Sequence, residues 1–353
     1  MGLSGGRDSR LMLALLHEQD VTPHVYVYGK ERDVDVQIAR DVAKTEGFDI
    51  EWLDRTRLPR PDVDAFKAIV SRNFYLFDGY PGSGVFNNGS DLTTRLARCE
   101  GGRLMLNAMG AEVYRLAFEY TNVLLTVRQL IRRYFENFAT SYCTSHFSKQ
   151  AYIASLADTI RRESPHDAVL LDGVETEHIY IDLRCRYWAG PHISVNNRFS
   201  WALTPFIERG VVDDAVTLPF EYRVSGKFLG RLIREVNPSL AAYRSEYGHD
   251  FMRDPTIRRR LLDSAMYWRK AYLPQINAFR IKNVLRKVTK PPFPYYLQPD
   301  YVKSVIDTQF PWMNRFFHVD KVTDAGQFAR ICTLEYLFDK YQSKLSPATA
   351  PLA

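Results

Sequence analysis

The chain has 353 residues, 46% of them hydrophobic, which is enough apolar material for a large core and suggests about two domains. No stretch approaches the roughly 18 consecutive apolar residues of a membrane span, so no membrane partner is expected and a cytoplasmic location is predicted. The formal charge of +6 accompanies 41 acidic residues, and this modest surplus favours a solvated basic surface over a nucleic-acid interface.

The first fifty residues alternate between helical and strand patterns. Apolar residues at helical spacing predict a helix over 11–17, starting just after Asp8 and Ser9. Val25–Tyr28 has the composition of a short buried strand. A second helix over 36–46, ended by Gly47, and a second strand over 48–53 follow. This alternation indicates an α/β fold with a parallel sheet.

A loop, a strand and a long helical region come next. Turn-forming and aromatic residues predict a long loop over 74–91. Residues 103–106 have strand composition and lead into a second loop, Asn107–Glu112. Ligands bind beyond the carboxyl ends of strands in open α/β sheets, so this second loop is expected beside the N-terminal one.

These patterns divide the chain into three parts. Residues 1–115 are predicted to form an α/β part, residues 116–345 a mostly helical part, and residues 346–353 a disordered tail. The four cysteines lack paired spacing, so reduced thiols are expected rather than a zinc site or disulfides.

The N-terminal segment LSGGRDSR, residues 3–10, has the composition of an anion-binding loop. Glycines let backbone N–H groups approach phosphate oxygens, and the positive end of the following helix adds to the attraction. Asp8 beside phosphates would be repulsive without a cation between them, so the loop predicts Mg²⁺ with ATP. The alternative is a tight turn that binds nothing; the whole octapeptide entering a helix favours the nucleotide.

The strand that should launch such a loop is nearly missing. Only Met1-Gly2-Leu3 precedes the glycines. We interpret the chain as a fragment of a longer gene product or as one whose start is misassigned.

LSGGRDS resembles the pyrophosphatase loop of the ATP pyrophosphatase (PP-loop) superfamily, whose members cleave ATP between the α and β phosphates. The segment TPFIERGVVDDAVTLP, residues 204–219, is similar to a segment of asparagine synthetases, and SGKFLGRLIR, residues 225–234, to their lysine-containing helix. Asn107–Arg115 falls where that family has a Ser-Gly-x-Gly-x-Asp-Glu segment. The order of these motifs makes the resemblance to asparagine synthetases specific. It implies an adenine nucleotide alpha hydrolase-like (PP-loop) sheet with a mostly helical C-terminal half.

The resemblance also implies roles for single residues in binding the nucleotide. Pyrophosphate and Mg²⁺ would be held by Ser4, Gly5, Gly6, Asp8 and Ser9. Leu3 and Val27 would pack on adenine or ribose, and Asn107 and Gly110 would complete the nucleotide site.

Two further residues would act on the reaction itself. Glu112 falls where the family has a Mg²⁺-binding aspartate, so it would share the metal with Asp8; the alternative is an ordinary first-turn helix acid. Lys227 would contact the α-phosphate and stabilise charge as pyrophosphate leaves; the alternative is a surface lysine on an amphipathic helix.

The sequence departs from the family in two places. Met109 stands where asparagine synthetases have a glutamate and β-lactam synthetases a tyrosine, and methionine can neither transfer a proton nor bind pyrophosphate. The family's N-terminal glutaminase domain is absent, since the first cysteine is Cys99. Nitrogen would come from free ammonia, an amine substrate, or a glutaminase domain or subunit.

The resemblance implies an ATP-dependent, amide-forming ligase. Mg²⁺-ATP would activate a small-molecule carboxylate as an acyl-adenylate with release of pyrophosphate, and ammonia or an amine would then attack. We expect the acceptor pocket to be lined by residues 74–91 and 184–199, and a homodimer is compatible with this function. A tRNA-modifying PP-loop enzyme and a non-catalytic remnant, the latter motivated by Met109, are the alternatives.

Overall fold

The structure is a computed structural model that describes residues 1–80, 84–116, 124–135, 140–163, 170–272 and 293–344. The predicted tail over 346–353 lies outside these residues. The described chain has a mixed α/β fold in which helices predominate, as predicted for the class. It divides into two compact units: Met1–Leu58, Arg98–Phe135 and Thr159–Ala278 form the first, and Pro59–Ala97, Glu136–Asp158 and Phe279–Ala353 the second.

The elements of regular structure follow in chain order. The α-helices are α1 (Arg7–Glu18), α2 (Val34–Glu46), α3 (Val63–Leu76), α4 (Ser90–Cys99), α5 (Val127–Tyr134), α6 (Lys149–Glu163), α7 (Gly173–Tyr180), α8 (Gly190–Asn196), α9 (Arg209–Thr217), α10 (Phe220–Arg223), α11 (Lys227–Val236), α12 (Pro238–Ala242), α13 (Ile257–Tyr272), α14 (Pro299–Val302) and α15 (Ala325–Tyr341). A π-helix, Ile181–Ala189, joins α7 to α8. The 3₁₀ segments include Ala111–Arg115, Pro205–Ile207 and Val224–Gly226. The strands are β1 (Val25–Tyr28), β2 (Ile50–Leu53), β3 (Met105–Leu106) and β4 (Ala202–Leu203).

The strands of the described residues form two small parallel pairs. β1 pairs with β2, with Val25 opposite Ile50, and β3 pairs with β4, with Met105 opposite Ala202. The strands are parallel, as the alternating pattern predicts, but the described sheets have only two strands each. What matters for function is that β3 and β4 run in the same direction, so the segments following them leave at the same edge.

The first three residues extend the β1–β2 pair. Leu3 N–H donates to the Tyr26 carbonyl at 2.9 Å, and Tyr26 N–H donates to the Met1 carbonyl at 3.0 Å, a parallel bridge centred on Gly2 and Tyr26. The LSGG loop is thus preceded by a short paired segment. The sequence pattern contains almost no strand before the glycines. In the structure, Met1–Leu3 pairs with β1 at this place as a short extended segment.

The predicted helices and strands of the N-terminal region exist, with shifted boundaries. β1 has the predicted bounds, and α2 ends at Glu46 because Gly47 adopts a left-handed conformation with φ +75°. The first helix begins at Arg7, because Gly6 takes the N-cap position. Asp8 and Ser9 therefore lie in its first turn, not before it as predicted; an acid in the first turn is favoured by the helix dipole.

Two later predictions also change. The strand predicted over 103–106 is limited to Met105–Leu106. The long loop predicted over 74–91 is shorter at both ends, because α3 continues to Leu76 and α4 begins at Ser90. Phe74 continues the helical pattern because its ring is buried in the core of the second unit.

The core of the first unit joins the N-terminal α/β elements to a helix from the C-terminal half. Its fully buried side chains include Leu11 and Leu13 of α1 and Leu229 and Ile233 of α11. Because α1 and α11 pack against each other, α11, which begins at Lys227, is brought to the LSGG loop that precedes α1.

The second unit has its own, strongly aromatic core. Buried rings include Phe66, Phe86 and Trp312, with Phe66 and Tyr301 in edge-to-face contact at 5.1 Å. The buried carboxylate of Glu335 accepts the backbone N–H groups of Trp312 at 3.2 Å and Met313 at 2.8 Å.

Two findings concern general properties of the described chain. No disulfide joins any of the four cysteines, all of which lie within the described ranges. None of the helices in the described ranges combines the length and apolar character needed to cross a bilayer.

Candidate functional site

The side chains of Ser4 and Ser9 hold the LSGG loop in shape. The Ser9 hydroxyl accepts the Ser4 N–H at 3.0 Å, and the two hydroxyl oxygens lie 3.0 Å apart. The Ser4 hydroxyl also accepts the Gly6 N–H at 3.2 Å. The loop is therefore closed by its own hydroxyl groups as it enters α1.

Both glycines of the loop are closely approached by neighbouring side chains. A Cβ on Gly5 would lie 2.8 Å from Ile38 Cδ1 on α2, and one on Gly6 would lie 2.8 Å from Glu246 Oε1. Both atoms are the ends of side chains, so a larger residue would require Ile38 or Glu246 to shift. The loop is therefore enclosed by side chains on two sides.

A carboxylate of the protein accepts a hydrogen bond from one of the loop N–H groups that were predicted to bind phosphate. Asp35, in the first turn of α2, accepts the Gly5 N–H at 2.7 Å. The Gly5 carbonyl in turn accepts the Glu246 N–H at 3.0 Å. The loop thus binds an anionic side chain of its own protein, which is the type of group it was predicted to bind from solution.

Asp8 is paired with Arg115, the last residue of the segment 107–115, which comprises the predicted second loop and the 3₁₀ turn after it and is called the second loop below. Arg115 donates through Nε to Asp8 Oδ1 at 3.4 Å and through Nη2 to Oδ2 at 3.3 Å. About a quarter of each side chain is exposed. Burial alone would lower the pKa of Arg115, but the negative charges of Asp8 and Glu112 outweigh it and hold that pKa above its ordinary value. Arg115 therefore interacts with both predicted metal-binding acids.

The second loop is shaped by its own polar side chains. Asn107 accepts the Met109 N–H at 3.0 Å, and Glu112 accepts the Gly110 N–H at 2.8 Å. Gly110 has φ +98°, and a Cβ there would overlap Ile207 and lie 3.1 Å from the Phe206 carbonyl oxygen. The loop after β3 thus packs closely against the segment after β4. The parallel pairing of β3 and β4 places the two segments at the same edge.

Tyr114 connects the second loop to α11. Its ring stacks on Phe228 at 5.5 Å between centroids, and it meets the ring of Phe206 edge-on at 6.4 Å. The three motif segments that follow the LSGG loop in sequence, around Tyr114, Phe206 and Phe228, therefore share one aromatic cluster.

Lys227 is the first residue of α11, and its nearest charged partner is an acid. Its Nζ lies 3.6 Å from Asp254 Oδ2, while Arg231 Nε donates to Asp254 Oδ1 at 2.9 Å. The hydrogen bond from Arg231 and the charge of Lys227 keep the pKa of Asp254 below its ordinary value. The preceding residue, Gly226, packs against the side chain of Arg7.

A π-helix borders the acidic end of the second loop. Burial raises the pKa of Cys185 to about 11, and the charges of Glu112 and Asp182 add to the rise. Burial also raises the pKa of Tyr180, with Glu112 again contributing. Wide helical turns of this kind occur frequently at functional sites. The charge of Glu112 therefore acts on Cys185, within the stretch 184–199 that was predicted to line an acceptor pocket.

The predicted site residues fall into two groups. Arg115 joins the segment that contains Glu112 to Asp8 of the loop, and Lys227 starts a helix whose N-cap glycine contacts the loop at Arg7. Leu3 and Val27 are buried in the hydrophobic core, 3% and 2% exposed. In the described part of the chain, no three His, Cys, Asp or Glu side chains cluster closely enough to hold a metal by themselves.

Sequence reasoning did not assign roles to Arg7, Asp35 and Arg115. Arg7 and Arg115 lie within the motifs quoted above. An arginine beside a predicted anion site is the sequence feature that could have identified both. No sequence pattern indicated a role for Asp35, because only the fold brings the first turn of α2 to Gly5.

No family model matches the chain, and no curated protein matches it.

Proposed function

We propose that the chain is an asparagine synthetase-like, ATP-dependent ligase of the PP-loop type. It would activate a carboxylate as an acyl-adenylate, release pyrophosphate, and form an amide with ammonia or an amine. The proposal rests on one observation: motif segments far apart in sequence lie in contact within the first unit.

Three contacts carry that observation. Arg115 of the second loop pairs with Asp8 of the first at 3.3 Å. Gly110 of the second loop packs against Phe206 and Ile207. Tyr114 stacks on Phe228 of α11. Segments at residues 3–10, 107–115, 204–207 and 225–234 share one hydrophobic core, and their meeting in one region is what the nucleotide assignment requires.

The order of elements around the loop supports a PP-loop type of fold. A short paired segment leads into the glycines, which lead into α1, and β1, α2 and β2 follow, with β1 parallel to both neighbours. Strand, glycine loop and helix in this order present the helix N-terminus to an anion.

The acids present fit Mg²⁺ held together with ATP. Mg²⁺ in nucleotide sites takes one or two carboxylates and completes its shell with phosphate oxygens and water, so Asp8 and Glu112 are sufficient donors. Bound Mg²⁺ would offset the negative charge of the phosphates. Asp8 would have to exchange its contact with Arg115 for this ligand, which leaves the guanidinium available to a phosphate.

The chain's own groups would bind and orient the nucleotide. The first-turn amides of α1 and the hydroxyls of Ser4 and Ser9 would donate to the phosphates, which they can do without a change of fold. Lys227 is placed to neutralise developing charge once it leaves Asp254, a move that the 3.6 Å separation makes easy.

A second candidate is a non-catalytic relative that keeps the fold. Two observations favour it: Asp35 occupies the Gly5 N–H, and Arg115 occupies Asp8. Met109 removes a side chain that assists the reaction in the family. Such a protein would bind nucleotide weakly and turn none over.

Product analysis separates the two candidates. The full chain is incubated with Mg²⁺-ATP, ammonium and one carboxylate at a time, namely aspartate, larger amino acids and uronates, and nucleotide products are quantified by chromatography. Carboxylate-dependent AMP and pyrophosphate support the ligase. ADP and phosphate as the products would contradict it, since cleavage would then lie between the β and γ phosphates, and ATP binding without products favours the non-catalytic relative.

A further inference from the structure

Arg7, between Gly6 and Asp8 in the SGGRDS loop, carries a buried cationic side chain. Its side chain is 6% exposed, and its guanidinium carbon lies 3.9 Å from the centre of the Tyr247 ring and 5.3 Å from that of Phe251. Within the described residues, its Nε has no acceptor and no carboxylate forms an ion pair with it. The charge of Asp8 also acts on the guanidinium, but burial outweighs it and lowers the pKa of Arg7, so the buried charge is incompletely compensated.

The neighbouring arginine shows what a structural role looks like. Arg10 lies one turn further along α1 and is completely buried, but its Nη1 and Nη2 donate to the carbonyls of Tyr243 and Arg244 at 2.8 and 2.9 Å. The described residues offer Arg7 no such carbonyl acceptors. The loop acid Asp8 has both carboxylate oxygens directed to Arg115, so its charge acts on Arg7 without a direct ion pair. Of the two loop arginines, Arg7 is thus the one whose guanidinium the described residues leave without a direct acceptor.

Arg7 also lies at the N-termini of two helices. It is the first residue of α1, which has 12 residues, and its guanidinium packs on Gly226, the N-cap of the ten-residue α11. A Cβ on Gly226 would lie 2.8 Å from Arg7 Nε. Two helix N-termini therefore converge on the guanidinium, and each favours an anion there.

We propose that Arg7 is a binding residue for the pyrophosphate end of the nucleotide, whose phosphate oxygens supply the missing counter-charge. The inference rests on the proposed function and adds a residue to its site. In P-loop proteins a lysine after the glycines meets the phosphates; here the arginine between Gly6 and Asp8 takes that part. A planar guanidinium stacked on Tyr247 is preoriented for a phosphate.

The test measures binding of inorganic pyrophosphate by titration calorimetry to the full chain at fixed ionic strength. Arg7→Met removes the charge and keeps an apolar side chain on Tyr247. Arg209→Met is the matched control, since it removes the same charge from a side chain that is 95% exposed in the same unit. Arg7→Lys restores the charge without the planar group, and AMP serves as a ligand that lacks the β and γ phosphates.

We expect Arg7→Met to weaken pyrophosphate binding about tenfold relative to Arg209→Met, with partial recovery in Arg7→Lys and no change for AMP. The melting temperature of the ligand-free protein should be unchanged or higher, since an uncompensated buried charge has been removed. Pyrophosphate affinity equal to that of the control, an equal loss for AMP, or a variant that melts lower or fails to fold would each overturn the inference.

The two proposals fail separately. Binding that depends on Arg7 without any turnover would retain the inference and remove the ligase. Turnover in the wild type together with unchanged pyrophosphate affinity in Arg7→Met would retain the ligase and remove the inference.

Discussion

The contact between Gly110 and the segment after β4 gives the sharpest test of how the site is assembled. Gly110 has φ +98°, and a Cβ there would overlap Ile207 and lie 3.1 Å from the Phe206 carbonyl oxygen. A non-glycine residue at positive φ costs about 1–2 kcal/mol, and overpacking adds about 1–3 kcal/mol. We therefore expect Gly110→Ala to lower the free energy of unfolding of the first unit by about 2–5 kcal/mol.

Gly47→Ala is the matched control for this prediction. Gly47 has φ +75°, but nothing lies within 4 Å of its Cβ position, so only the backbone term applies, about 1 kcal/mol. Urea unfolding of both variants, followed by circular dichroism, gives the difference directly. If Gly110→Ala is no less stable than Gly47→Ala, the close packing of the second loop on Phe206 and Ile207 is wrong.

Two further predictions address the acid of the second loop and the second unit. Glu112→Gln should lower the pKa of Cys185 from about 11 without returning it to 9.0, because burial is the larger cause of the rise. The pH dependence of alkylation at Cys185, followed by mass spectrometry, measures this pKa. Identical pH profiles for the wild type and the variant would place Glu112 elsewhere. Glu335→Ala should destabilise the second unit by about 2–6 kcal/mol, because two buried N–H groups lose their acceptor. The control Asp320→Ala, at an exposed acid of the same unit, should change stability by less than about 0.5 kcal/mol, and equal losses would refute the role of Glu335.

Local patterns in the sequence predicted the N-terminal elements well. β1 has the predicted bounds, and Gly47 ends α2 as its lack of a Cβ suggested. The start of α1 was misplaced because Gly6 caps the helix through its backbone, without the side-chain signal that Asp8 and Ser9 offered. Boundaries set by backbone geometry leave little trace in residue type.

The pairings inside the site could not be predicted from the sequence. Asp8 was predicted to face a metal, but 107 positions separate it from Arg115, and only the fold shows that the guanidinium reaches it. The same holds for Asp35 on Gly5 and for Tyr247 on Arg7. Motifs identified the segments, whereas long-range packing of α1, α2 and α11 decides which side chain meets which.

The central claim is that the loop at Asp8 and the helix starting at Lys227 form one ATP site that transfers an adenylyl group. Exchange of labelled pyrophosphate into ATP, in the presence of Mg²⁺ and the activating carboxylate, measures that step without the nitrogen donor. Wild-type protein should catalyse exchange, and Asp8→Asn and Lys227→Ala should each abolish it while circular dichroism shows the fold intact. Exchange that continues unaltered in either variant would contradict the account.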